Sequence, residues 1–237
     1  MINIEQLELE KLIFEVRYNK GLIYLDRSGI VMNIIMDNYP EFTNFSVGNI
    51  NEGVSLISYN PYIAVNIRFD RIIVDIQFPS TSELKNYYEI CDYAINMISE
   101  EFEVSTFTRV GNRFIYIYPL EDNKEVDNII IENGPFSIDK GKLAYLGDEF
   151  TQPEFKVVMS DEEIGHTLRI NSIFDREKEI EKRPFKIDTP EFAQKNGIQI
   201  DIDFFTKKEI DLSGLVCSEL IHKNRRYNQK LVQTIFK

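Results

Sequence analysis

The sequence predicts an α+β protein: two β-rich halves, mostly antiparallel sheet, and long amphipathic helices packed on one face. Three observations carry that prediction. Runs of alternating apolar and polar residues recur along the chain, which is the period of a half-buried strand. Two stretches, after Ser80 and after Asp211, change to helical spacing. Finally, Val74-Asp75-Ile76-Gln77-Phe78 is echoed by Ile200-Asp201-Ile202-Asp203-Phe204, each ahead of such a helix. A duplication accounts for the echo, with halves at 1–120 and 121–237 packed as one compact unit. Chance does so too, because short alternating strands resemble one another.

The elements follow in order. KLIFEVRYN (Lys11 to Asn19) puts Leu12, Phe14, Val16 and Tyr18 on one face, so it reads as the opening strand. Ser28 to Phe42 reads as a helix with Ile30, Ile34, Met36 and Tyr39 near one face, ended by Pro40. Beyond an Asn/Gly loop at Gly48 to Gly53, three β-rich runs follow: GVSLISYN, PYIAVNIRFD and RIIVDIQFP. Ser80 and Glu83 form a capping-box pattern ahead of a helix to about Phe102. Its stripe is Leu84, Tyr87, Tyr88, Cys91, Ile95, Ile98 and Phe102. VSTFTRVGNRFIYIYP is one bent strand or a hairpin around Gly111. In the second half, DNIIIENGPFS, KLAYLGDEF, FKVVMSDEE, HTLRINSIFD and IQIDIDFF are strand candidates. The charged excursion REKEIEKRPFKIDTPEFAQKNG reads as a loop with a short helix, and a helix from about Leu212 to Phe236 closes the chain.

Composition excludes several classes. The 237 residues are 43% hydrophobic and 28% charged, with 17 Phe, 12 Tyr and no Trp. That is a globular chain with a real core, not a disordered one. A net charge of −12 repels phosphate backbones and anionic membranes. The two cysteines form no cluster, the start has no basic leader, and no apolar run approaches a membrane span. A cytoplasmic protein without a membrane partner is the expectation.

Candidate chemistry is sparse. Asp201 and Asp203 lie two apart in a strand pattern, with carboxylates about 7 Å apart on one face. They are conditional ligands, and alternation alone explains them as a strand's polar face. Neither His166 nor His222 has zinc-type spacing, and no metal or cofactor is expected. His222 could act as a base oriented by Glu219, although a surface histidine is the commoner case. The basic cluster Lys223, Arg225, Arg226 and Lys230, with Tyr227 beside it, is the only stretch on which a nucleic-acid partner could be argued. Nucleophile elbows and phosphate-cradling glycine loops are missing, so no catalytic residue is assigned. In Arg109-Val110-Gly111-Asn112-Arg113, a bulge at Gly111 would re-aim both arginines. They would then hold a carboxylate or phosphate, or pair with internal acids such as Glu15 or Asp75.

KLIFEVRY, TRVGNRFIYIY and IQIDIDFF followed by the last helix together resemble a sporadically distributed bacterial family of about 250-residue cytoplasmic proteins. That family carries a Phe-Glu-Ile-Arg strand, an Arg-(Ile/Val)-Gly-Leu-Arg-Tyr-Ile-Asn block, a strand of alternating Asp and a helix with Leu-His. This chain departs from the block at Asn112, where the family has Leu, and at Tyr116, where it has Asn. The resemblance implies a shared fold and no chemistry. The scattered distribution of the family implies carriage on mobile or defence islands.

Two functional readings follow. The first is a non-enzymatic binding, regulatory or immunity-type protein acting through a protein partner, as in an antiphage system, and assembled as a homodimer or a complex subunit. The alternative is a ligand sensor or hydrolase-type enzyme with a site shared between the halves. On that alternative Arg109, Arg113, Asp201, Asp203 and His222 converge in one pocket.

Overall fold

Alternation along Leu12, Phe14 and Val16 forms β1 (Glu8–Arg17), the strand around which the rest is laid. The computed structural model describes residues 6–19, 21–49, 52–59, 61–80, 84–120, 126, 129–131, 154–174, 190, 193, 195–211 and 216–236. After β1 come α1 (Ile23–Asn38), β2 (Asn44–Val47), β3 (Val54–Tyr59), β4 (Tyr62–Arg68), β5 (Arg71–Gln77) and α2 (Leu84–Glu101). Then follow β6 (Thr106–Phe107), β7 (Arg109–Pro119), β8 (Glu154–Ser160), β9 (Ile164–Ile173), β10 (Gly197–Thr206), β11 (Ile210–Asp211) and α3 (Cys217–Ile235). Among the described residues nine strands form one antiparallel sheet in the order β2-β3-β4-β5-β1-β7-β10-β9-β8, and β6 and β11 make a separate ribbon. The α+β architecture is as the alternation predicts.

The strand order has an internal regularity. On either side of the β1–β7 pair, β5-β4-β3 and β10-β9-β8 run in the same order and senses. The echoed segments occupy matching places, β5 beside β1 and β10 beside β7. Asp75 lies opposite Ile13, two residues from Lys11, and bonds Lys11 at 2.7 Å. Asp201 lies opposite Ile115, two residues from Arg113, and bonds Arg113 at 2.6 Å. The echo therefore repeats a diagonal ion pair.

One sheet face is covered by helices. Leu12, Ile76, Phe114 and Ile202 form one cross-strand row beneath them, all buried. The α2 stripe falls on this face, every residue of it buried down to Phe102, which meets Tyr18 and Tyr24 edge-on. Each fully buried aliphatic side chain contributes about 1.5–3 kcal/mol.

Several expectations need correction. The first helix starts at Ile23, not Ser28, and buries Tyr24, Val31, Met32 and Ile35, while Ile30 is 45% exposed. Apolar residues surround this helix, so spacing alone did not set its phase. The DNIII stretch, where described, is helical: Val126 and Ile130, four apart, are both fully buried. Of the capping box, Glu83 lies outside the described residues, as do KLAYLGDEF and most of the charged excursion. Gly111 carries no bulge. The β7 register runs through it unbroken on both sides, and the only shift lies between Leu9 and Lys11 of β1. Gly111 and Gly165 instead flank Phe205 on the neighbouring strands, and its ring occupies the space a Cβ at Gly165 would take.

Candidate functional site

The sheet face opposite the helices is polar, and its register builds the site. Arg68, Arg71, Arg17 and Arg109 stand directly opposite one another across β4, β5, β1 and β7. Like charges placed so are destabilising. Three of the four have carboxylate partners. Arg17 donates to Glu15 at 2.6 Å, Arg71 makes two 2.9 Å bonds to Asp70, and Arg109 lies 3.6 Å from Asp203 with its guanidinium 4.2 Å over the Phe205 ring. Arg68 forms no ion pair among the described residues, and its buried Nε lacks a hydrogen-bond partner, as does that of Arg109.

A second layer lies one turn of register away. Arg113 grips Asp201 through Nε and Nη2 at 2.7 and 2.6 Å, and Arg169 Nη1 adds a bond at 2.7 Å. Asp201 is 2% exposed, so the polar face is closed over by guanidiniums and is not simply wet. Burial raises the pKa of Asp203, against the pull of Arg109 and Arg113. Burial likewise raises that of Asp75, against Lys11 and Arg113. Between the layers is a concavity of about 430 Å³ floored by Ile13 and Ile73 and walled by Arg68, Arg109, Arg113 and Asp203. Lys11, Arg17, Arg68, Arg71, Arg109, Arg113 and Arg169 face Glu15, Asp70, Asp75, Asp201 and Asp203. Glu10, which accepts a hydrogen bond from Gln199 on the same face, makes six carboxylates against seven cations, a near balance on a chain of net charge −12.

No family model and no curated protein matches this chain.

Four of the five residues singled out in the sequence thus meet on one face: Arg109, Arg113, Asp201 and Asp203. His222 does not. It is exposed on α3, in the helical layer on the other side of the sheet, edge-on to Tyr88 at 6.0 Å. The reason is topological. The helix that carries it packs through Asn224 onto Asn112, whose side chain points away from the arginine face. The basic cluster divides as well: Lys223, Arg226 and Lys230 are exposed, while Arg225 is half-buried beside Tyr88 and Tyr116. Arg17, Arg68, Arg71 and Arg169 were not singled out as site residues. Each looks like an ordinary polar-face arginine until register aligns them.

The remaining reactive groups are quiet. Burial pushes the thiols of Cys91 and Cys217 up, away from thiolate. Among the described residues no three of His, Cys, Asp and Glu gather in metal-ligating geometry. His166 is packed between Phe204 at 4.9 Å and Tyr227 at 5.3 Å, with its buried Nδ1 unpartnered.

Burial lowers the His166 pKa below 6.5, and Asp161 and Asp203 only partly oppose that. Below 6.5 the unfolded chain therefore takes up the proton first. This contribution to stability is complete above 6.5 and is lost as pH falls through the folded value. Thermal unfolding compared about one unit above and one unit below 6.5 should show a drop in Tm that shrinks in His166→Gln. An equal drop in both proteins would exclude His166 as its source. Asp75 and Asp203, with raised pKa values, have the opposite sign and act nearer 3.8.

Proposed function

We propose that this chain is a non-enzymatic binding protein whose arginine-lined sheet face holds an anionic group of a protein partner. One observation carries the reading: four arginines opposed across adjacent strands, with Arg68 unneutralised at the edge of a concavity. Such a row costs stability, and natural proteins keep costly arrangements where function uses them. Guanidiniums suit the task because their forked donors match carboxylates and phosphates. The carboxylates of the face are engaged in ion pairs, which fits a rigid recognition surface better than a proton-transferring one.

The size of the concavity supports a second reading, a sensor of a small anion, since about 430 Å³ lies within the range of small-molecule sites. Arg68→Gln separates function from folding. Its stability should be unchanged or higher by about 0.5 kcal/mol, because a like-charge opposition is relieved. Native co-purification followed by mass spectrometry should show a partner retained by the wild type and lost with Arg68→Gln and Arg109→Gln. Equal retention by the folded variants would remove the arginine face from the function. A small anion released by the wild type alone would select the sensor reading.

A further inference from the structure

A second cavity, of about 360 Å³, lies on the helix-covered side where the start of β1 and the segment after β5 meet α3. Leu7, Leu9 and Phe78 give it apolar walls, Tyr116 and Arg225 a polar end, and Glu8 an acidic rim. Tyr116 is 5% exposed, and its hydroxyl lies beside Arg225 and the side-chain amide of Asn228 without a well-formed hydrogen bond. A buried phenol normally finds one, and leaving it without is costly. Arg225 forms no ion pair among the described residues, and its charge acts on the phenols of both Tyr116 and Tyr88. The Tyr88 hydroxyl is also buried, beside Arg225 and without a well-formed hydrogen bond. Phe78, in the wall, is held at φ 50°, a left-handed conformation that a bulky residue adopts only under constraint and that clusters at ligand clamps.

A guanidinium and a phenol at the end of an apolar cavity can together hold one carboxylate, the fork and the hydroxyl both donating. The apolar walls take the remainder of such a molecule, and Glu8 at the rim opposes polyanions. We propose that this cavity is a second binding site, separate from the arginine face, for a small monocarboxylic acid with an apolar tail.

The test uses the full chain with octanoate and 4-phenylbutyrate as probes, and with 4-phenylbutanol and inorganic phosphate as comparators. Saturation-transfer NMR and calorimetry should show saturable binding of at least one carboxylate, about tenfold weaker binding of the alcohol, and no competition by phosphate. Arg225→Met and Tyr116→Phe should each weaken the carboxylate by about tenfold. Tyr116→Phe removes only the hydroxyl and so keeps the fold. Arg68→Gln, on the opposite face, should leave the affinity as it is, which separates this site from the anion site proposed above. The proposal is overturned if neither carboxylate binds the folded wild type, if Tyr116→Phe and Arg225→Met bind as the wild type does, or if phosphate competes equally.

Discussion

Asp201→Ala should destabilise the protein by about 3 kcal/mol, the lower end of the range for breaking a buried ion pair. The carboxylate is 2% exposed and accepts three hydrogen bonds from two guanidiniums. Removing it leaves Arg113 and Arg169 facing each other with nothing between them. Their side chains are 39% and 29% exposed, so water screens part of the loss, and the upper end of the range does not apply. Asp201→Asn keeps the shape and one acceptor and should cost less. The matching pair provides a control. Among the described residues Asp75 pairs with Lys11 alone, and burial already disfavours its charge, so Asp75→Ala should cost about 1 kcal/mol. Urea unfolding with an unchanged m value measures both. If Asp75→Ala costs as much as Asp201→Ala, the second guanidinium adds nothing.

Phe114→Ala should have the largest effect of any single change here, about 3–5 kcal/mol. Phe114 is fully buried in the central β7, between Leu12 of β1 and Ile202 of β10, and is stacked on Tyr116 at 6.1 Å. The truncation opens a cavity under the helices in the middle of the sheet, where the strands cannot close in without breaking their pairing. For a chain of this length the loss corresponds to roughly 6–20 °C in Tm. Phe114→Leu, which refills most of the volume, should cost under about 1.5 kcal/mol. Scanning calorimetry on both variants decides the matter. Similar values for the two would mean that the site relaxes and that packing at Phe114 is loose.

Much of this fold was legible in the residues. Period-two alternation located β1, β3, β4, β5, β9 and β10, and the stripe of α2 was read residue by residue, because in those segments one face alone is apolar. Where both faces are apolar, or neither is, the reading failed. The phase of α1 was lost among Ile30, Val31, Ile34 and Ile35. The short edge strand β2 is exposed throughout and has no pattern to read. The Ile-Ile-Ile run at 129–131 suits strand and helix equally. For the site, Arg109, Arg113, Asp201 and Asp203 stood out because two charges of one sign recur within each segment. Arg68 and Arg169 were visible only as members of similar-looking strand ends. Register shows that they are not equivalent, since Ala64 is the residue opposite Asp75 and Arg169 the one opposite Asp201. Cross-strand neighbours are a property of pairing, and one sequence carries no direct record of pairing.

The pairing of β1 with β7 has a consequence in time. β1 leaves the ribosome ahead of the other described strands, and β5 can occupy one of its edges as soon as it is made in turn. Its other edge has to wait for β7, beyond the whole of α2. Closing that distance costs loop entropy before any ladder bond returns it, so the β1–β7 seam belongs to the late, slow part of folding. Until it closes, Phe14 and its neighbours border an unpaired strand edge, the kind of surface on which chains aggregate. The central place of β1 in the finished sheet is thus also the position of greatest exposure during its assembly.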